Sequence, residues 1–152
     1  MTDLTHSVLP AITLWQPWAT LVALGIKKYE TRGWSYSYLG RLWIHAAKRS
    51  LDKQALEILH EYIPGGVEFP LGCIIACVEL KAIKLMVTDE QYIATPPFAR
   101  DGIIRYSAQT AQEAALGLWR AGRFAWEFQN VQQINPIFTR GYQGLWYPGV
   151  VE

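Results

Sequence analysis

The sequence predicts an α+β fold, a small mixed β-barrel of five to six short strands with flanking helices. Two observations predict it: the candidate strands are short, and they do not alternate strictly with helices as they would in a doubly wound parallel sheet. Half of the 152 residues are apolar, which supplies a core of the size that one domain needs. Residues 1–152 are therefore treated as a single domain.

The first predicted elements are a strand over 9–14 and a short helix after it. Pro17 suits the first turn of that helix, because its missing N–H has no intrahelical partner there. Gly25 ends the helix, since glycine readily takes the left-handed conformation found at helix C-termini.

A second strand is predicted over 28–32. Alternation places Lys28, Glu30 and Arg32 on one face of it, and three ionisable groups do not form a core. Either this face meets water or it lines a polar pocket, where the neighbouring cations would keep Glu30 ionised.

The next strand, over 41–47, separates two sets of side chains by alternation. Leu42, Ile44 and Ala46 are expected to face the core, and the other face, a possible ligand wall, carries Arg41, Trp43 and His45. His45 alone has a second interpretation, because a neutral imidazole also serves as a structural hydrogen-bonding group.

The remaining elements follow from apolar periodicity and from glycine or proline breaks. Ser50 is the expected N-cap of an amphipathic helix over 50–63. The strongly apolar run 72–80 is expected to be a central strand buried on both faces, extended by 81–85. The later predictions are a helix start at Thr88, an irregular segment or lid over 96–109, a helix over 110–121 that Gly122 ends, and strands over 123–128 and 131–137.

Two glycines surround aromatic side chains in the last stretch, R-G-Y-Q-G-L-W-Y-P (140–148). Glycine has no Cβ, so this pattern predicts a backbone held close to another part of the protein.

Positive charge is concentrated between Lys27 and Arg49. That segment carries six Lys or Arg and one acid, a net +5, whereas the rest of the chain carries eight Lys or Arg and twelve acids, a net −4. Four of the seven tryptophans lie in 14–48. Cations interleaved with aromatic rings suit an anionic ligand with flat rings, a nucleotide or nucleic acid. The alternative is that the indoles are core and the lysines a solvated face.

Several classes of protein are disfavoured. Cys73 and Cys77 lie four apart in a predicted strand, about 13 Å from each other, which is too far for a disulfide. The scattered His6, His45 and His60 show no zinc-ligand spacing, and neither a metal nor a cofactor is predicted. No apolar run approaches the roughly 18–20 residues of a membrane span, and no secretory signal is visible. We expect a cytoplasmic protein without a membrane partner.

The segment 16–34 reads Q-P-W-A-T-L-V-A-L-G-I-K-K-Y-E-T-R-G-W and resembles the signature of the ASCH (activating signal cointegrator homology) domain. Three further blocks are similar to that family: G-R-L-W-I-H-A-A-K (40–48), F-A-W-E-F-Q-N-V (124–131) and G-L-W (144–146). The resemblance spans about 9–146, although the stretch from 86 to 109 matches no block of the family.

The resemblance implies a PUA-like β-barrel with a cleft beside the first helix that holds RNA or a nucleotide-like ligand. The implied lining is Lys27, Glu30, Arg32, His45 and Lys48, with Trp18, Trp34 and Trp146 as walls. Cations can contact phosphate, indoles can stack on bases, and Glu30 can accept hydrogen bonds from an amine or a hydroxyl. Arg32 has a second possible role, pairing with Glu30 only to hold it in place.

Some small members of the family that the chain resembles are amidohydrolases. They act on N4-acetylcytidine through a lysine and a threonine three residues later. Lys27 matches the lysine, but Glu30 stands at the threonine position, and Thr31 is expected to face the other side of the strand. The covalent route therefore lacks its hydroxyl. Glu30 could activate water instead, so Lys27 and Glu30 are the catalytic candidates of this second reading. A third reading is an aromatic face that meets a protein partner.

Overall fold

The computed structural model describes residues 9–86, 98–100 and 103–149. These residues form eight strands, three short helices and one 3-10 turn. The strands are β1 (Ala11–Leu14), β2 (Tyr29–Arg32), β3 (Gly40–Ala46), β4 (Cys73–Met86), β5 (Phe98–Arg100), β6 (Ile103–Tyr106), β7 (Phe124–Phe138) and β8 (Leu145–Trp146). The helices are α1 (Trp18–Ala23), α2 (Lys53–Ile58) and α3 (Ala111–Ala115), and the 3-10 turn is His60–Tyr62.

Contacts divide the chain into two compact units, and β4 and β7 contribute residues to both. The first unit comprises 1–26, 41–79 and 130–152, and the second comprises 27–40 and 80–129. Each unit is thus assembled from segments that are distant in sequence.

The first unit contains a mixed sheet in the order β7-β4-β3-β1-β8. β1 runs parallel to β3, with Leu14 opposite Ala46, and antiparallel to β8, with Ala11 opposite Trp146. β1 and β3 therefore end at the same edge of the sheet, and the residues that follow them lie close together.

The helix α1 follows β1 as the sequence predicts. Pro17 is its N-cap residue, and Gly25 has a φ of 74°, the left-handed conformation expected of a glycine just beyond a helix. Five of the six α1 residues, Ala19 to Ala23, are buried, so the short helix is stabilised by packing rather than by its length.

The helix α2 is shorter than the predicted 50–63 and begins later. Its N-cap is Asp52, not Ser50, and the Asp52 carboxylate accepts a hydrogen bond of 3.0 Å from the N–H of Ala55. That bond satisfies one of the free N–H groups of the first turn, which is why the helix starts there. None of the α2 residues is buried, and its apolar anchor is the following residue, Leu59.

The second unit contains strands in the order β2-β7-β4-β6-β5. β2 and β7 pair antiparallel, and β6 pairs parallel to the end of β4. The prediction of an irregular segment over 96–109 was therefore wrong for β5 and β6, whose short hairpin extends the sheet. The predicted helix start at Thr88 lies outside the described residues.

The strand β7 is continuous, whereas the sequence predicts two strands, over 123–128 and 131–137, the second of them interrupted at Asn135-Pro136. In the first unit β7 stands at one end of the strand order, and an edge strand tolerates proline because one row of its N–H groups needs no partner. Asn130 has a φ of 51° within the strand, a conformation that asparagine adopts more readily than most residues.

The helix α3 ends at Ala115 rather than Ala121. Its N-cap is Thr110, whose hydroxyl accepts a hydrogen bond from the N–H of Glu113. At Gly117 a Cβ would lie 2.9 Å from Thr31 Cγ2 and 3.0 Å from Trp119 Nε1. The backbone at Gly117 thus passes directly over β2, and only glycine fits there.

Each unit has its own apolar cluster. In the first unit it contains Ala11, Trp43, Ile74, Cys77 and Trp146, and in the second it contains Met86, Tyr106, Ala108, Trp119 and Ala125. Both cysteines are buried free thiols, as the strand spacing predicts. Among the described residues no helix is long and apolar enough to cross a membrane.

The predicted α+β class is confirmed, and the sheet is mixed. The described strand pairings give an open order in each unit. Closure into a PUA-like barrel stays a prediction.

Candidate functional site

The second unit brings together three of the charged residues that the sequence singles out. Arg32 Nη2 lies 3.2 Å from Glu30 Oε2, and Lys27 Nζ lies 3.8 Å from Glu30 Oε1. Glu30 and Arg32 share a face of β2, as alternation predicts. Lys27 reaches the same carboxylate from the segment before the strand, so the single acid lies between two cations.

Lys27 is the most buried member of this group. Its side chain is 2% exposed, compared with 13% for Glu30 and 27% for Arg32. The ammonium donates a short hydrogen bond to the carbonyl of Leu116. Burial lowers the pKa of Lys27, an effect that the nearby Glu30 carboxylate partly opposes. A buried amine with a lowered pKa and a backbone partner is poorly placed to bind phosphate but well placed to fix its neighbours.

The opposite face of β2 is occupied by structural contacts. Thr31 is buried, and its hydroxyl accepts a hydrogen bond of 3.1 Å from the N–H of Leu118. Arg123 donates to the Thr31 carbonyl. Thr31 thus faces away from Glu30, as predicted, and its hydroxyl is engaged by the backbone of Leu118, whereas the Lys27 ammonium bonds the carbonyl of Leu116.

Trp34 follows β2 and extends the group. The Arg32 guanidinium lies 6.0 Å from the centre of its ring. The indole also packs edge-on against Trp126, at 4.8 Å, and against the exposed Tyr36. An amine, a carboxylate, a guanidinium and a partly exposed indole therefore form one local group, which we call the β2 group (Lys27, Glu30, Arg32 and Trp34).

A second set of ionisable residues in the same unit was not predicted. Lys84 pairs with Glu127 at 2.9 Å and lies 4.4 Å from the ring centre of Tyr106. Tyr106 donates a hydrogen bond of 2.7 Å to Glu113. Burial is the main cause that raises the pKa of Glu113, and burial likewise raises the pKa of Tyr29 to about 12. These residues are far apart in sequence, and no local pattern announces them.

His45 belongs to the first unit, where both ring nitrogens are engaged. Nε2 lies 2.8 Å from the Thr139 carbonyl, which only accepts, so Nε2 carries the proton. Nδ1 then accepts from the Thr13 hydroxyl at 3.1 Å, and that hydroxyl accepts from Trp146 Nε1 at 3.0 Å. The chain of bonds fixes a neutral imidazole and joins β1, β3 and β8.

Gly141 lies directly on this arrangement. A Cβ there would lie 2.5 Å from His45 Cε1 and 2.7 Å from Thr13 Oγ1. The sequence prediction that the late glycines hold backbone close to another part of the protein is confirmed at Gly141.

The predicted cleft residues thus fall into two sets. Lys27, Glu30, Arg32 and Trp34 are in the second unit, whereas Trp18, His45, Lys48 and Trp146 are in the first. In the first set the charged residues contact one another, and in the second His45 and Trp146 are linked through Thr13. That all eight line one cleft stays a prediction.

The proposed ligand wall on β3 is largely interior. Trp43 and His45 are both buried, Trp43 in the apolar cluster of the first unit. β3 lies between β4 and β1, and an inner strand covered on both faces buries both sets of alternating side chains. Trp43 is therefore a core residue.

The buried imidazole of His45 predicts how the stability of the fold depends on pH. Burial lowers the pKa of His45 below the ordinary 6.5, so below that pH the unfolded chain binds a proton that the folded chain resists. The stability from neutral His45 is present above about pH 6.5 and is lost as the pH falls below it, by at most about 1.4 kcal/mol per pH unit.

Urea unfolding across about pH 5–8 measures this effect. His45→Gln is expected to flatten the acid limb of the profile, and the same change at the exposed His60 controls for loss of a histidine in general. An identical acid limb in His45→Gln and wild type would contradict the assignment.

Comparison with known proteins finds similarity over most of the chain. A family model described as the ASCH domain matches residues 12–138. Activating signal cointegrator 1 from Homo sapiens and from Mus musculus are each 35% identical to the chain over 77 residues. The aligned stretch covers 45% of this chain and 13% of each relative, so the chain spans only a small part of their length.

Proposed function

The chain belongs to the ASCH domain family, and from this premise we propose that it is an RNA- or nucleotide-binding module with a basic, aromatic cleft. The family is consistent with nucleic-acid binding, and the concentration of positive charge in 27–49 favours an anionic ligand. We propose in addition that the mixed sheet belongs to the PUA-like barrels and that the protein acts in the cytoplasm.

The observation that carries the proposal is the preformed Glu30–Arg32 pair at the edge of the β2 group. The two side chains are held 3.2 Å apart, with the indole of Trp34 beside the guanidinium. Arg32 is the natural contact for a phosphate, because a guanidinium presents paired donors to it. Glu30 can accept from an exocyclic amine or a ribose hydroxyl, and Trp34 can stack on a base.

Lys27 has a positioning role in this proposal. Its buried amine holds Glu30 on one side and the Leu116 carbonyl on the other. It therefore sets the orientation of the carboxylate and does not itself contact phosphate.

Four predicted residues of the first unit also belong to the proposal, as contacts within that unit. Lys48 is exposed and is assigned to phosphate. Trp18 is assigned to the wall. His45 and Trp146 are buried and their hydrogen-bonding atoms are occupied, so in this proposal they support the wall from behind.

Arg32→Ala is expected to weaken binding of a single-stranded RNA about 10- to 100-fold, the equivalent of one lost charge-assisted contact. The slope of log affinity against log salt should fall in magnitude by about 1. Fluorescence anisotropy with a labelled oligonucleotide at several salt concentrations measures both.

Arg120→Ala is the matched control, since Arg120 is an exposed arginine of the same unit. Equal affinity and equal salt slope for Arg32→Ala, Arg120→Ala and wild type would refute the assignment of Arg32.

A second candidate function is an amidohydrolase for a modified nucleoside such as N4-acetylcytidine. The observation that favours it is the lowered pKa of Lys27 beside Glu30, since a lysine and a carboxylate in contact can act together in proton transfer. The Thr31 hydroxyl is bonded to the N–H of Leu118, so in this candidate a water activated by Glu30 is the nucleophile. Acetate release from N4-acetylcytidine by wild type, abolished in Glu30→Gln, would put this reading first.

A protein partner is the third candidate. A pull-down with and without nuclease separates it from the first, because a partner bridged by RNA is released by nuclease and a direct partner is retained.

A further inference from the structure

Trp15 differs from the other tryptophans of the chain. All seven lie in the described residues. Among them Trp15 alone has a largely exposed side chain, with 51% of its surface accessible. A single exposed apolar residue is ordinary. This one is notable for its neighbour: the Arg49 guanidinium lies 3.7 Å from the centre of the Trp15 ring, the distance of a plane stacked on an aromatic face.

The position of this pair follows from the sheet. Trp15 comes directly after β1, and Arg49 comes three residues after the end of the parallel neighbour β3. The two following segments are tied together, because the N–H of Ala47 donates to the Leu14 carbonyl at 2.8 Å. The carboxyl ends of adjacent parallel strands are a common place for ligands.

The base of the pair is rigid. Gln16 follows Trp15 and is fully buried, and its amide bonds to Thr20 and to the Pro70 carbonyl. The Trp15 carbonyl accepts from Ala19 in α1. The indole is thus presented to solvent from an anchored backbone, so little order has to be gained on binding.

The charge around the pair is positive and available. Lys48, Arg49 and Lys53 are all exposed, and the nearby acid, Asp52, is engaged as the cap of α2. Within 9–86, 98–100 and 103–149 no carboxylate pairs with Arg49. The N–H donors of a guanidinium project from the edge of its own plane, so an arginine stacked on an indole can still bind a phosphate.

We propose that Trp15 and Arg49 form a stacking site for one unpaired base of a single-stranded nucleic acid, with Arg49 and Lys48 contacting the adjacent phosphate. The inference rests on the proposed function and deepens it by naming a single strand as the ligand. Bases in a duplex are stacked on each other and do not offer a free face, whereas an unpaired base can extend the indole–guanidinium stack.

A second stack of the same kind lies in the first unit. Arg140 lies 5.2 Å from the ring centre of the exposed Tyr142, and the intervening Gly141 sits on Thr13 and His45. Arg140 and Tyr142 are both exposed, so the first unit presents a second arginine–aromatic pair to solvent.

The test is anisotropy with labelled poly(U) and poly(dT) of about 12 nucleotides, and with a duplex RNA of equal length. Trp15→Ala is expected to weaken poly(U) binding about 5- to 150-fold, the cost of one base stack. Trp15→Phe, which keeps an aromatic face, should retain most of the affinity. Ile58→Ala, which removes an exposed apolar side chain in the same unit, is the control and should bind as wild type.

Two variants of Arg49 separate the contribution of stacking to binding from the contribution of charge. Arg49→Lys keeps the charge but loses the plane, so we expect weaker binding with an unchanged salt slope. Arg49→Ala should weaken binding and also lower the slope by about 1. Equal behaviour of poly(U) and poly(dT) assigns the site to either nucleic acid, and preference for poly(U) assigns it to RNA; both support the stack.

The contrary outcomes are distinct. Wild-type binding of poly(U) that Trp15→Ala leaves unchanged overturns this inference and leaves the proposed function standing. If Trp15→Ala weakens binding of the duplex as much as binding of poly(U), the ligand of this site is not an unpaired base. A nuclease-resistant protein partner lost in Trp15→Ala, with poly(U) binding unchanged, assigns the pair to a protein instead. Absence of any RNA binding by wild type overturns both proposals.

Discussion

Lys27→Ala is expected to lower the free energy of unfolding by about 2–5 kcal/mol, the range for emptying a buried site and removing one member of a buried ion pair. Three losses combine in this single change. The side chain is almost fully buried, so its methylenes leave a cavity. The Leu116 carbonyl loses its donor, and Glu30 loses one of its two cations.

Lys27→Met separates volume from charge. Methionine fills most of the space, and Arg32 still pairs with Glu30, so the expected loss is about 1–2 kcal/mol, mainly from the unpaired carbonyl. Urea unfolding of both variants provides the measurement. A Lys27→Ala protein as stable as wild type would mean that the amine is not held in the interior, and the positioning role would fail with it.

Gly141→Ala is expected to cost about 1–3 kcal/mol through overpacking, a fall in Tm of roughly 2–4 °C for each kcal/mol in a chain of this size. The added methyl group would lie 2.5 Å from His45 Cε1 and 2.7 Å from Thr13 Oγ1. Neither atom can withdraw freely, because His45 is bonded on both sides and Thr13 is bonded to Trp146.

Gly149→Ala is the matched control, since a Cβ there would meet nothing within 4 Å. Thermal unfolding of the two variants compares the same chemical change with and without the contact. Equal Tm values would contradict the close approach of Gly141.

The local part of the β2 group could be predicted because it depends on a period of two residues. Alternation places Glu30 and Arg32 on one face, and the structure pairs them at 3.2 Å. The partner of Lys27 could not be predicted, because the Leu116 carbonyl is a backbone group far along the chain. Backbone acceptors leave no mark in the residue types.

The same alternation misled at β3. It separates Leu42 from Trp43 and His45 correctly, but it does not tell a ligand wall from a second buried face. That distinction depends on which strands stand on either side, and β3 is flanked by β4 and β1. Trp15 was passed over for the converse reason: its exposure and the stacking of Arg49 arise only when two strand ends meet.

Turn residues were more informative than helix lengths. Gly25 ends α1 as expected, and the glycines near the C-terminal aromatics correctly predicted the close contact at Gly141. Helix lengths were overestimated because apolar periodicity does not show where a cap begins a helix, as Asp52 does, or where a close contact stops one, as at Gly117.

The pairing of β1 with β8 has a consequence for synthesis. β1 is synthesised well before β8, yet Ala11 and Trp146 are partners. Until β8 emerges, the nascent chain carries β1 with one row of backbone donors and acceptors unprotected, and this is the kind of edge on which strands from other chains add. A chain whose translation stops before residue 145 is therefore expected to be prone to aggregation.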